Sequence, residues 1–160
     1  MTRKKPWNRV DLPVYSISSQ GNGGDNMHLI IYVTAISMKP KRFICAVFHG
    51  TRTLENIQEH GEFVLQLLAR PQYRLVDLLG KKSGWQVDKI SRLDKRGALT
   101  SWRGFRVLQD CLALLHLRVT NSLEGGDHRV FVCDLLAYKN LQDGPPLTLD
   151  DLRARKLVRM

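Results

Sequence analysis

The stretch LALLHLRVTNSLEGGDHRVFVCDLLAY, residues 112–138, decides the fold: two alternating apolar runs flank a turn written Glu124-Gly125-Gly126-Asp127-His128. In the first run Ala113, Leu115, Leu117 and Val119 fall on one face and Leu114, His116, Arg118 and Thr120 on the other, the period of a strand half buried against a core. The second run alternates likewise, with Val130, Val132 and Leu136 set against Phe131, Cys133, Leu135 and Ala137. Paired glycines supply the positive φ angles of a tight reversal, and Asp127 is placed to bond the turn backbone. His128 therefore leaves the hairpin in a fixed direction. By spacing alone it reads equally as a solvated residue at a strand start.

Working toward the N-terminus, Glu62 to Ala69 reads as a buried strand, and the segment before it changes period. Thr53 suits an N-cap, Glu55 the first turn, Leu54 and Ile57 one face, and Gly61 the stop, so a short helix is predicted there. Further back, Val14 to Gln20 reads as a strand and Gly21-Asn22-Gly23-Gly24-Asp25 as a loop. The apolar run His28 to Ser37 breaks at Lys39-Pro40-Lys41 and resumes as Arg42 to Phe48, which predicts two neighbouring strands with a short connection.

Toward the C-terminus, Pro71 opens a helix with the stripe Leu75, Leu78 and Leu79 before Gly80. Residues 81–106 read as an irregular excursion, with Trp85 and Trp102 covering edges, and a short helix is expected around Val107 to Cys111. Gly144-Pro145-Pro146 ends the sheet, and Leu149, Leu152 and Leu157 stripe a terminal helix. Six or seven strands with only short helices predict a mainly β protein, a small antiparallel barrel.

The chain of 160 residues is long enough for one domain with its own core, expected to span residues 1–160 with the core at about 10–141. Cys45, Cys111 and Cys133 are odd in number and scattered, and read as reduced core thiols in a cytoplasmic protein rather than a disulfide frame or zinc site. No apolar leader follows Met1-Thr2-Arg3-Lys4-Lys5, and no run reaches the length of a membrane span. The five histidines lack metal-ligand spacing, and thiols in apolar runs make poor nucleophiles.

The net charge of +10 raises the question of nucleic acid, and its location answers it. Eight of the 25 bases sit in residues 1–9 and 152–160, where there is no acid, which leaves 17 bases against all 15 acids in the body. The excess is terminal and reads as solvated ends. A nucleic-acid-binding barrel stacking bases on Tyr32, Phe43 or Phe48 is the weaker reading of the same charge.

A second candidate site is His49-Gly50-Thr51-Arg52-Thr53-Leu54-Glu55-Asn56, where a strand gives way to a helix. Helix N-terminal amides, the bare backbone of Gly50, the hydroxyls of Thr51 and Thr53 and the fork of Arg52 make an anion pocket suited to a phosphate monoester. A capped helix with a solvated arginine would look the same in sequence.

Taken in order, Asn26-Met27, Thr34-Ala35-Ile36-Ser37 with Pro40 behind it, Thr53-x-x-Asn56-Ile57, Gly61-Glu62-Phe63-Val64, Gln72, Ser83-Gly84, Asp88-Lys89-Ile90 and Gly126-Asp127-His128 give residues 26–140 a pattern that resembles the flavin reductase-like family of FMN-binding split barrels. The resemblance implies an antiparallel split β-barrel with short peripheral helices, a homodimer holding FMN near its interface, and NADH or NADPH as electron donor. It implies that Val33, Thr34, Ala35, Ile36 and Ser37 run along the isoalloxazine edge, and that Phe48, His49, Gly50, Thr51, Arg52, Thr53 and Asn56 meet the ribityl phosphate. His128 would be the catalytic residue, orienting or hydrogen-bonding in the flavin and nicotinamide pocket, with Lys89 reaching the same pocket or the partner subunit. Met38-Lys39-Pro40-Lys41 lacks the family's second proline or acidic turn, and Gln66 replaces a common asparagine. A non-catalytic FMN-binding electron carrier would share every one of these features.

Overall fold

The computed structural model describes residues 1–159 and places nine strands in two antiparallel sheets. In chain order these are β1 (Tyr15–Ser19), β2 (Asn26–Ile30), β3 (Val33–Met38), β4 (Lys41–Phe48), β5 (Glu62–Leu67), β6 (Leu99–Trp102), β7 (Phe105–Leu108), β8 (Ala113–Glu124) and β9 (His128–Asn140). The helices are α1 (Arg52–His60), α2 (Val76–Gly80), α3 (Lys89–Lys95) and α4 (Leu149–Ala154). Seven strands form an antiparallel sheet in the order β2-β1-β5-β8-β9-β4-β3, and β6 and β7 make a separate hairpin.

The sheet order corrects one expectation. The run His28 to Ser37 is two strands, and they lie at opposite ends of the sheet although only Ile31 and Tyr32 separate them. The chain turns sharply there, with the Val33 amide bonded to the Ile31 carbonyl at 3.1 Å, and the Ala46 amide donates to Tyr32 O at 2.9 Å. Among the described residues no ladder joins β2 to β3, so the sheet is brought round on itself by chain continuity. This is the split barrel.

Side chains from six strands meet inside it. Ile17, Ile30, Cys45, Val47, Phe63, Leu65, Leu117, Phe131 and Cys133 form one buried cluster, joined by Leu54 and Ile57 of α1. The opposite face is covered too: Val14, Met27, Val64, Leu68 and Leu114 pack with residues of α2, α3, α4 and β7. The half-buried strand expected for residues 113–120 is therefore buried on both faces at its first half, with Leu114 1% and His116 6% exposed.

The covering layer contains the second correction. Residues 81–106 are not irregular throughout, since they hold α3, β6 and the first half of β7, and no helix forms at Val107 to Cys111, where β7 ends. Arg103 (φ 50°) and Gly104 (φ 85°) reverse the chain between β6 and β7 in the doubly left-handed geometry of a tight hairpin. Arg103 Nε donates to His116 Nδ1 at 2.8 Å and fixes the hairpin to the sheet.

All three cysteines are buried and unpaired by disulfide, as expected. Among the described residues no helix is long and apolar enough to cross a membrane.

Candidate functional site

The site is assembled where β2, β4 and α1 meet the loop before α3. Helix α1 begins at Arg52 because Thr51 Oγ1 accepts from the Leu54 amide at 3.2 Å, and it stops at Gly61, whose φ of 76° a side chain would resist. The cap is thus Thr51, two residues before the expected Thr53. Thr53 is inside the helix and fully buried, and its hydroxyl oxygen accepts from Asn26 Nδ2 at 2.9 Å. Asn56, 2% exposed, donates to Ser19 Oγ at 3.2 Å and Gly24 O at 3.1 Å. Thr53 and Asn56 brace the helix against β1 and β2 and do not line the cavity before it.

That cavity, about 430 Å³, is lined by Asn26, His28, Phe48, His49, Gly50, Thr51, Arg52, Gly80, Lys81, Lys82, Ser83, Gly84 and Lys89. No acid is among them, and four are cations. The first helical amides of α1 have no partner within the helix and sit at this wall. Arg52 Nη1 donates to Gly84 O at 3.0 Å, its guanidinium lies 5.7 Å from the Trp85 ring centre, and Trp85 Nε1 donates to Gly50 O at 3.0 Å. These three contacts strap the loop across the helix start. Gly84 lets the strap close, because a Cβ there would meet Asn26 Oδ1 at 2.5 Å.

Two buried groups in the wall are poorly satisfied. Lys89 is 2% exposed and donates only to Leu79 O, at 3.1 Å, and burial lowers its pKa to about 8. His28 has a buried Nδ1 without a partner; burial first, then the charges of Lys89 and His128, lower its pKa to about 4 and keep it neutral. Arg52 Nε is likewise buried and unbonded. An anion entering this cavity would meet a lysine with a single hydrogen bond and two buried nitrogens, His28 Nδ1 and Arg52 Nε, with none.

His128 opens β9 opposite Phe48, its ring 5.3 Å edge-on from Phe48 and 5.0 Å from Tyr32. Its direction is set by Asp127, whose carboxylate takes Nδ1 at 2.7 Å instead of the turn backbone; that bond lowers the Asp127 pKa. The turn itself is closed by the Gly125 amide on His128 O. His49, half exposed, pairs with Glu124 of the same hairpin.

The expected residues divide into three groups. Phe48, His49, Gly50, Thr51, Arg52 and Lys89 line one cavity, with His128 beside Phe48 at its edge. Val33, Thr34, Ala35, Ile36 and Ser37 form the edge strand β3, which enters through Tyr32 on the far side of His128. Thr53 and Asn56 stand behind the wall. Sequence reasoning missed His28, Lys81, Lys82 and Trp85; the run Lys81-Lys82-Ser83-Gly84 after a helix end was the available signal.

The structure is an antiparallel split barrel with a cationic cavity, free of acids in its lining, at a helix start. The chain belongs to the flavin reductase-like domain family, whose model matches residues 7–157. It is 29% identical over 120 residues to an uncharacterized protein of Archaeoglobus fulgidus, covering 72% of this chain and 67% of that one. Among solved structures it resembles the FMN-binding protein of Thermus thermophilus, at 21% identity and a TM-score of 0.76 over 91% of this chain and 84% of that one. It also resembles the flavin reductase component of a bacterial two-component tryptophan halogenase, at 19% identity and a TM-score of 0.77 over 89% and 88% of the two chains.

Proposed function

We propose that the protein binds FMN with its phosphate in the cradle and acts as an NAD(P)H-dependent flavin reductase. The observation that carries the reading is the cavity wall, in which Arg52, Lys81, Lys82 and Lys89 gather with no acid among the lining residues, Lys81 alone of the four having a carboxylate partner, Asp77, outside the wall. Arg52 and the α1 amides would hold the phosphate by charge-assisted bonds, and Lys89 would gain the anion it lacks. Phe48, Tyr32 and His128 offer an aromatic wall beside the cradle, where the ring system continues from the ribityl chain. Along β3 the outer backbone edge is unpaired and available to a flat heterocycle.

When bound, FMN supplies the redox chemistry, taking two electrons from a reduced nicotinamide and passing them to an acceptor. The chain's own work is to bind, orient and exclude water. His128, held by Asp127, orients what lies against Phe48, and neutral His28 offers a hydrogen bond without adding charge. Tyr32 (50% exposed), Ile36 (48%) and Met38 (89%) present apolar surface on and beside an unpaired edge strand, which supports a second copy packing there as a homodimer and completing the slot for the nicotinamide.

Titration with FMN tests the first half. Saturable binding with a perturbed flavin spectrum is expected, and Arg52→Ala weakens it by roughly ten- to a hundredfold, the loss of a charged hydrogen bond of about 1.5–3 kcal/mol; unchanged affinity in the variant removes Arg52 from the site. Anaerobic addition of NADH and NADPH tests the second. Bleaching within seconds supports a reductase, whereas tight FMN with no bleaching over minutes makes the protein an electron carrier.

A further inference from the structure

A larger cavity, about 640 Å³, lies on the other side of His28, walled by β2, α2, α4 and the segment after α4. We propose that it binds a small amphipathic carboxylate, an acyl chain or aromatic ring bearing one acid group. Its size is that of ordinary ligand sites. The interior is apolar: Val14, Ile30, Val76, Leu149 and Leu152 all line it, and none is more than 6% exposed.

The mouth is cationic. Lys81, Lys156 and Arg159 line it, and no acid is among the described lining residues. Lys81 is already paired with Asp77 at 2.8 Å, whereas Lys156 makes no ion pair among the described residues. Lys156 is also held in the left-handed region, at φ 57°, at the exit of α4 where glycine or asparagine is usual. The Leu157 amide, bonded to Leu152 O at 2.9 Å, folds the chain back and keeps the lysine at the rim. Backbone strain that brings an unpaired cation to the lip of an apolar cavity is the form of a ligand clamp.

Charge selects among occupants. An apolar body fills the wall, one anionic group answers the rim, and a dianion has no second donor set at this mouth, unlike the neighbouring cradle. His28, Gly80 and Lys81 line both spaces, and the apolar wall and the cations Lys156 and Arg159 belong to this one alone, so occupation of one does not require the other.

The test is calorimetric titration of the flavin-free protein with decanoate, octanoate, decanol and decyltrimethylammonium. Decanoate should bind at one site, roughly tenfold more tightly than octanoate as two further methylenes are buried. Decanol should bind more weakly, and the cation not at all. The surface variant Lys156→Glu/Arg159→Glu should weaken decanoate at least tenfold and leave decanol unchanged, and added salt should weaken decanoate alone. The same decanoate affinity in protein saturated with FMN is expected. Absence of saturable heat at millimolar decanoate, equal affinity for decanol, an unaffected charge variant, or displacement of FMN by decanoate would each overturn the proposal. Because the flavin-free arm needs no cofactor, its failure is separate from failure of the FMN reading.

Discussion

The inside of the barrel and the wall of the cradle lie on either side of α1 and are built by opposite rules. Inside, Ile17, Phe63, Leu65, Leu117 and Phe131 pack in one apolar cluster that also holds two buried free thiols, Cys45 and Cys133. In the wall, Lys89 is buried with one hydrogen bond, and the buried atoms His28 Nδ1 and Arg52 Nε of two half-buried side chains have none. The first region minimises folded-state energy. The second leaves desolvated donors unsatisfied, which is costly without a ligand and favourable with an anion in place.

The comparison breaks first if the interior is not the stability centre. Phe63 is fully buried between β1 and β8, so Phe63→Ala should destabilise the protein by about 3–5 kcal/mol through lost burial and the cavity left behind. Urea unfolding measures it. A loss below about 1 kcal/mol would mean that the barrel collapses freely around the hole and that the interior is not close-packed.

Acid should reveal the wall. His28 titrates near its ordinary 6.5 in the unfolded chain and at about 4 in the folded one, so the unfolded state binds more protons between those values. Ligand-free protein therefore loses stability as pH falls from about 6.5 to about 4, by roughly 3 kcal/mol, at about 1.4 kcal/mol per pH unit. His116, whose pKa burial also lowers, acts in the same direction. His28→Leu should flatten most of this slope in denaturation curves taken across that range; an unchanged slope would place the acid sensitivity at the β6–β7 hairpin instead.

Lys89 sharpens the same contrast from the alkaline side. Its folded pKa is depressed, so removing the charge should help the empty protein: Lys89→Met should raise ligand-free stability by about 1–2 kcal/mol, after the lost bond to Leu79 O and screening by cavity water. The same variant should bind FMN more weakly. A variant that is both less stable and unchanged in FMN affinity would make Lys89 a structural tie and nothing more.

The two regions also differed in how openly the sequence displays them. Alternation over residues 113–120 and 129–137 exposes the long hairpin, and the Thr-rich start and Gly61 stop expose α1, because in each case the periodicity runs long enough to be counted. The separation of β2 from β3 leaves no such mark: Ile31-Tyr32 is as apolar as its flanks, and the turn is imposed by closure of the sheet, not by a turn-forming residue. β6 and β7 are four residues each, too short for a period to emerge, and only Arg103-Gly104 marks their reversal. Of the cradle, the local part was readable, since residues 48–52 are contiguous. Lys81, Lys82 and Trp85 come to it through a strap whose three contacts, Arg52 to Gly84, Arg52 to Trp85 and Trp85 to Gly50, are all tertiary.

The two threonines at the start of α1 carry the smallest test. Thr51 caps the helix from solvent and also donates to Phe48 O at 2.9 Å, so Thr51→Ala removes a cap and a strand-end bond and should cost about 1 kcal/mol. Thr53, fully buried, receives the Asn26 amide that stands behind Gly84. Thr53→Val keeps its shape but leaves that Asn26 donor without an acceptor in a dry place, so it should cost about 1–3 kcal/mol. If the cap were Thr53 instead, Thr51→Ala would be nearly silent and the loss of the cap would fall on Thr53→Val. Thermal unfolding of the two variants side by side decides it, and because Thr51 alone lines the cavity, only its replacement should also alter FMN affinity.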